Sequence, residues 1–285
     1  MSDTTAIVLI ACQDQKGLVA RIAGFINEYG GNILDSDHHT DRETGDFLMR
    51  TVFDISEFQL APKDICDAFR PIAKIHHMEV QWYFSDQKPR VGLLVSQYDH
   101  CLADVLQRHR RGELAIEIPA IISNHQTAAW WAELFHIPFH YCPVTPATKP
   151  QQEEQVLSIL GEQRVDLVVL ARYMQIVSEN FLDQVGCPVI NIHHSFLPAF
   201  IGAKPYHQAY DRGVKIIGAT AHYATAELDE GPIIAQDVVR VSHRDTVHDL
   251  IRKGRDLEEL VFSRAIRLHI ERRVLVYGRK TVVFD

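Results

Sequence analysis

The sequence predicts an α/β protein in two parts, a small β-α-β-β-α-β domain and a larger Rossmann-like, mostly parallel sheet. Three observations lead there. Strand-like and helix-like segments alternate through the second part, the pattern of a parallel sheet with right-handed crossovers. Short apolar runs such as Ala6-Ile7-Val8-Leu9-Ile10-Ala11-Cys12 lack the polar alternation of a half-exposed strand and read as buried. A polar, proline-containing stretch, Ser85-Asp86-Gln87-Lys88-Pro89-Arg90, separates the parts. The expected boundaries are 1–84, a linker over 85–90, and 91–285.

In the first part, residues 5–12 form the opening strand, and Asp14-Gln15-Lys16-Gly17 makes a turn. Leu18, Ile22, Phe25 and Ile26 mark one face of a helix that stops at Gly30-Gly31. Strands follow over 32–39 and 46–55, joined by the polar turn 41–45. A helix over about 60–74 carries Ile65, Phe69 and Ile72 at helical spacing, and 78–84 supplies the last strand. That order is ferredoxin-like.

In the second part, strands are expected over 91–95, 116–123, 138–142, 165–171 and 188–194, with helices over about 100–111, 127–135 and 151–160. Residues 214–223 and 233–241 read as further strands around a carboxylate-rich loop. A long amphipathic helix covers about 246–272, with Leu250, Leu257, Leu260, Val261, Ile266 and Ile270 facing the core. The first strand of this part is followed by neither a Gly-x-Gly-x-x-Gly turn nor a Walker-type loop, which removes the usual dinucleotide and phosphate fingerprints.

With 46% hydrophobic and 23% charged residues, the 285-residue chain has ample core material. A net charge of −8 argues against general nucleic-acid binding, which needs a basic face. The five scattered cysteines fit a reducing compartment rather than a disulfide framework. No segment reads as a secretory signal or a membrane span, so a cytoplasmic protein without membrane or nucleic-acid partners is expected.

Function concentrates in Pro188-Val189-Ile190-Asn191-Ile192-His193-His194-Ser195. Alternation along a strand places Asn191, His193 and Ser195 on one face. An amide, an imidazole and a hydroxyl seldom share a buried strand without partners, because unpaired buried polar groups are costly. In open α/β sheets, ligands sit at this carboxyl end. Taken singly, each of the three residues has a structural reading as a satisfied core polar group or a turn residue. Neighbours His193 and His194 point to opposite faces and cannot easily share an ion, and no His-Glu-x-x-His or paired Cys-x-x-Cys spacing occurs. No metal is expected.

The stretch Asp14-Gln15-Lys16-Gly17-Leu18-Val19-Ala20-Arg21, followed by Gly30-Gly31-Asn32-Ile33, resembles an ACT domain. The resemblance implies regulation or oligomerisation, with an amino-acid effector framed by Asp14, Gly17, Leu18, Val19, Asn32 and Ile33, often between two copies. A homo-oligomer is therefore expected. The alternative is that Gly17 only shapes the turn and Asp14 caps the helix.

Asn191-Ile192-His193-His194-Ser195-Phe196-Leu197-Pro198, with Gly218-Ala219-Thr220-Ala221-His222 and Leu228-Asp229-Glu230-Gly231-Pro232, resembles the folate-dependent formyltransferases. That resemblance implies catalytic roles for Asn191, His193 and Asp229, with Ser195 and His222 in support. Asn191 and His193 would hold the oxyanion formed by attack on the formyl carbon, and Asp229 would activate the nucleophile. Leu170-Ala171-Arg172-Tyr173-Met174-Gln175-Ile176-Val177 matches the segment that borders the folate. Arg172, Met174, Gln175, Ile176, Val177, Lys204, Glu227 and Leu228 are the implied folate contacts. Gln175 stands where some relatives carry arginine, so Lys204 or Arg172 is left to meet the glutamate carboxylate. The implied 10-formyltetrahydrofolate is a substrate, with no permanently bound cofactor.

Family members differ in the acceptor. Transformylases that act on glycinamide ribonucleotide cradle its phosphate with a glycine-containing loop after the first strand. Here that stretch is Val95-Ser96-Gln97-Tyr98-Asp99-His100-Cys101-Leu102, which lacks glycine and carries Asp99 to repel a phosphate. Nor is there the added basic domain of a tRNA formylating enzyme. An ACT-like domain joined to this catalytic domain, with Ser-x-x-x-His-Cys-Leu at the join, resembles the enzymes that hydrolyse 10-formyltetrahydrofolate to tetrahydrofolate and formate. Two alternatives belong to other classes: transfer to an unrecognised small acceptor, and a non-catalytic amino-acid sensor.

Overall fold

A computed structural model describes residues 4–85, 87–198 and 205–285. The chain divides into one unit of residues 1–88 with 271–285, and a second of residues 89–270. The first unit opens with β1 (Thr5–Gln13), α1 (Leu18–Glu28), β2 (Asn32–Thr40), β3 (Asp46–Asp54), α2 (Pro62–Ile75) and β4 (Glu79–Phe84). Its four-stranded sheet has the order β2-β3-β1-β4 and is antiparallel throughout. The apolar stripe of α1 drives it onto the sheet, and Phe25 meets Phe69 of α2 edge-on at 5.0 Å. The edge strand β2 has almost no burial along its length, with Leu34 54% exposed.

The second unit contains β5 (Arg90–Val95), α3 (His100–Arg110), β6 (Glu117–Ser123), α4 (Ala129–Phe135), β7 (Phe139–Tyr141), α5 (Lys149–Glu162), β8 (Leu167–Ala171), α6 (Glu179–Gln184) and β9 (Val189–His193). It continues with α7 (Pro205–Asp211), β10 (Ile216–Tyr223), β11 (Ile233–Arg240) and α8 (Val247–Ile270). The seven strands lie in the order β11-β10-β9-β8-β5-β6-β7. Strands β5 to β9 pair in parallel, whereas β10 runs antiparallel to both β9 and β11. Parallel central strands are covered on both faces, which explains the unbroken apolar runs of β5 and β8. The short helices α6 and α7 were not legible, because neither carries enough turns to establish a periodic stripe.

The C-terminal tail departs from the expected division. Strands β12 (Val274–Tyr277) and β13 (Lys280–Val283) form a hairpin that groups with the first unit, not with 91–270. Leu275 and Phe284 are buried with Leu9 and Leu48 on one face of the small sheet. Arg50, 5% exposed, donates to the carbonyls of Glu271 and Arg272 and pairs with Asp35 at 2.7 Å. Among the described residues, no helix is long and apolar enough to cross a membrane.

Candidate active site

Strand β9 supplies the centre of the site because it pairs with β8 on one side and β10 on the other. The antiparallel register sets His222 opposite Asn191 and Thr220 opposite His193. The amide nitrogen of Asn191 consequently lies 3.2 Å from His222 Nε2. His222 Nδ1 donates to the Tyr223 carbonyl at 2.9 Å, which leaves Nε2 between the Asn191 amide and Asp229.

Asp229 completes the cluster from the loop between β10 and β11. It adopts a left-handed backbone, φ 58°, which a short polar side chain tolerates better than most. Gly231 makes the return possible: a Cβ there would lie 1.8 Å from the Tyr223 carbonyl oxygen. The loop thereby folds tightly onto the end of β10. The Asp229 carboxylate comes 3.1 Å from His193 Nδ1 and 3.6 Å from His222 Nε2. Burial pushes its pKa up, but hydrogen bonds and charge from His193 and His222 outweigh this and hold it well below the usual carboxylate range. The other ring nitrogen of His193, Nε2, is buried and has no hydrogen-bond partner among the described residues. Such a group asks for a ligand.

Asn191, His222 and Asp229 face an open cleft. Its remaining walls come from Leu170, Gln175, Ile176 and Val177 on one side and from Ala224, Thr225, Ala226 and Leu228 on the other. An apolar slot with a few polar groups converging at one end suits a flat, partly polar organic ligand.

Residues 89–266 match the formyl transferase family, and residues 6–65 match the ACT domain family. The formyltetrahydrofolate deformylase of Synechocystis sp. is 55% identical over 284 residues, covering 100% of both chains. The crystal structure of a formyltetrahydrofolate deformylase from Pseudomonas syringae pv. tomato has a TM-score of 0.97 at 46% identity, over 100% of this chain and 96% of that one. The chain belongs to the formyltetrahydrofolate deformylase family. A crystal structure of glycinamide ribonucleotide transformylase 1 from Symbiobacterium toebii, 34% identical, has a TM-score of 0.66 and covers 71% of this chain and 97% of that one. The catalytic fold is thus common to deformylases and a transformylase.

Against this deformylase background, the residues expected from the sequence separate. Asn191, His193, His222 and Asp229 come together. Ser195 is buried just past β9, where its carbonyl accepts a hydrogen bond from Thr220 Oγ1 at 2.9 Å. Gln175, Ile176, Val177 and Leu228 line the cleft, while Met174, Glu227 and Arg172 are not among its walls. Met174 is 53% exposed, and Glu227 is exposed. Arg172 is buried and turned to Glu258 instead, because its left-handed backbone, φ 59°, redirects the chain at the end of β8. Lys204 lies outside the described residues.

Sequence reasoning missed the residues that hold the site in place. Thr220 Oγ1 also accepts from Leu197 N at 3.1 Å and from Gln236 Nε2 at 2.9 Å, tying residues 195–197 to β10 and β11. Glu153 accepts from Ser178 N at 3.0 Å and from its hydroxyl at 2.5 Å, and Lys149 donates to the Ile176 carbonyl. Helix α5 thereby fixes the cleft wall. The only available signal was the near-absence of exposure at Thr220 and Glu153, which a sequence does not display.

The effector candidates fall into two groups. Gly17 caps α1 at φ 92°, with Leu18 buried and Val19 41% exposed, and Asp14 N bonds the Gly45 carbonyl at 2.7 Å. Asp14 makes no side-chain cap; Gln15 instead meets His76 Nδ1 at 3.0 Å. Asn32 and Ile33, both exposed, pair with Asp54 and Phe53 of β3. The turn after β1 lies near Asp46, since Gln13 pairs with that residue. Within one chain the two groups therefore sit at opposite ends of the sheet.

His100, Cys101 and Glu258 have potential donor atoms within 4.8 Å of one another. His100 Nε2 is already bonded to Glu258 at 2.8 Å, and burial pushes the Cys101 thiol well above its ordinary pKa. The Arg172 guanidinium beside Glu258 is a poor neighbour for a cation.

Proposed function

We propose that this chain hydrolyses 10-formyltetrahydrofolate to tetrahydrofolate and formate at Asn191, His193 and Asp229. The observation that carries this reading is His193 Nε2, buried without a hydrogen-bond partner among the described residues, while Nδ1 faces Asp229. Water adds to the formyl carbon and generates an oxyanion. The Asn191 amide and the Nε2–H of an imidazolium at His193 donate to that oxygen, contributions worth about 3–4 kcal/mol per donor in comparable sites. Asp229 balances the imidazolium, orients the attacking water and accepts its proton as the carbon–oxygen bond forms. Collapse of the intermediate breaks the C–N10 bond, the proton held by Asp229 goes to N10, and formate departs. The pterin occupies the slot formed by Gln175, Ile176, Val177 and Leu228. No permanent cofactor takes part.

The small domain serves regulation and assembly. The split of the effector candidates between opposite ends of the sheet favours an amino-acid site completed by a second copy. The exposed edge strand β2 offers backbone hydrogen-bonding groups to such a partner. Scattered cysteines and the absence of a long apolar helix among the described residues fit action in the cytoplasm.

Incubation with 10-formyltetrahydrofolate and no other acceptor tests the reading. Formate and tetrahydrofolate should appear in equal amounts, and Asp229→Asn should abolish both. Folate binding without formate release would contradict it.

A further inference from the structure

Hydrolysis and formyl transfer run on one catalytic fold, so something near the reacting carbon must decide whether water or an amine attacks. We infer that Arg172 and Glu258, with His100 and Tyr206, fill the place an acceptor would take and so reserve the formyl group for water. This inference rests on the hydrolytic reading above.

The position follows from topology. In an open α/β sheet, ligands enter beyond the carboxyl ends of the strands where the strand order reverses. Strand β5 begins the sheet, β6 and β7 build outward on one side, and the chain then returns to place β8 on the other. The reversal lies between β5 and β8, and the residues just past their ends are Ser96 and Arg172. The same place adjoins the catalytic strand. Leu170 is level with Asn191 in the β8–β9 register, and Arg172 follows just past the end of β8.

That crevice is occupied by the protein itself. Arg172 has a side chain only 9% exposed and reaches to 3.4 Å from Glu258, which is 1% exposed. Glu258 also accepts from His100 at 2.8 Å and from the Tyr206 hydroxyl at 2.5 Å. Gly254, one turn earlier on α8, lets Tyr206 cross the helix: a Cβ there would sit 2.2 Å from its hydroxyl oxygen. The rings of His194 and Tyr206 are 6.2 Å apart, and those of His193 and His194 5.2 Å, so the cluster connects to the catalytic imidazole.

A filler selected for stability would look different. Burying a guanidinium and a carboxylate costs more than apolar residues of similar volume. Among the described residues Arg172 Nη1 has no hydrogen-bond partner and Nε has only the ion pair with Glu258, and the backbone lies in the region that favours glycine. The side chain is thus retained against three costs. Its bulk excludes a second substrate, and its charge repels an ammonium group while attracting a water or carboxylate oxygen. That charge is felt at His194, the neighbour of His193. Burial, followed by the charge of Arg172, holds the His194 imidazole down to about 4.

The test uses the full-length protein, 10-formyltetrahydrofolate labelled in the formyl carbon, and glycinamide or hydroxylamine in excess as the probe amine. Label is partitioned between formate and formylated amine. Wild type should place it in formate whether or not the amine is present. Arg172→Gly, which opens the crevice in a backbone conformation glycine prefers, should raise the amine share about tenfold or more. Tyr206→Ala opens the same place from α7 and should act in the same direction, which covers a failure of the first variant to fold. A folded variant with an unchanged partition, or one without turnover, would overturn the inference while wild-type hydrolysis stands. Absence of formate from wild type would instead overturn the hydrolytic reading.

Discussion

The Asp229 carboxylate lies 3.1 Å from His193 Nδ1 and leaves Nε2 of the same ring buried without a partner among the described residues. One nitrogen is anchored and the other is presented. The arrangement depends on a glycine two residues beyond Asp229 and on a threonine opposite His193 in the next strand.

Removing the Asn191 donor should leave folate binding largely intact and lower kcat. Asn191→Ala is expected to lose about 10²–10³ in kcat, the usual effect of deleting one oxyanion donor. Steady-state kinetics alongside a folate-binding titration checks this; a KM effect with unchanged kcat would assign Asn191 to substrate binding alone.

Gly231→Ala should displace the Asp229 loop, because the added methyl would meet the Tyr223 carbonyl at 1.8 Å. A destabilisation of about 1–3 kcal/mol is expected from overpacking of this kind. Activity should fall by more than the unfolded fraction explains. Thermal melts paired with kcat measurements separate the two effects.

Glu153 acts through the cleft wall. Glu153→Gln keeps the size but weakens the bonds to Ser178 N and its hydroxyl, now 3.0 and 2.5 Å. KM for the folate should rise on the order of tenfold with a smaller change in kcat, the split expected when binding is lost equally in ground and transition states.

His194 gives stability a pH dependence of definite sign. Burial lowers its pKa from 6.5 to about 4, so between those values the unfolded chain binds the proton and the folded one does not. Stability therefore rises with pH through that window and is insensitive to this group above it, an effect of at most about 3 kcal/mol. Denaturant titrations of wild type and His194→Gln from pH 4 to 7 should show a shallower slope in the variant. Equal slopes would remove His194 as the source.

Much of the site was legible because polar residues on a buried strand stand out: Asn191 and His193 interrupt the run Val189–His193. The pairing of Asn191 with His222 was not, since it requires β10 to run antiparallel in a sheet expected to be mostly parallel. Arg172 was assigned to the folate by its neighbours in sequence, yet a left-handed turn at the end of β8 sends its side chain to Glu258. The β12–β13 hairpin shows the same limit. Its contacts in the first unit come from far along the chain: Arg50, more than two hundred residues earlier, bonds the Glu271 and Arg272 carbonyls, and Leu9 and Leu48 are buried with Leu275 and Phe284.

The central claim is that water attacks the formyl carbon. Turnover of 10-formyltetrahydrofolate in ¹⁸O-labelled water, without any other acceptor, tests it most directly by mass analysis of the formate. One labelled oxygen per formate, formed in step with tetrahydrofolate and lost in Asp229→Asn, is the predicted result. Unlabelled formate, or tetrahydrofolate formed without formate, would contradict it.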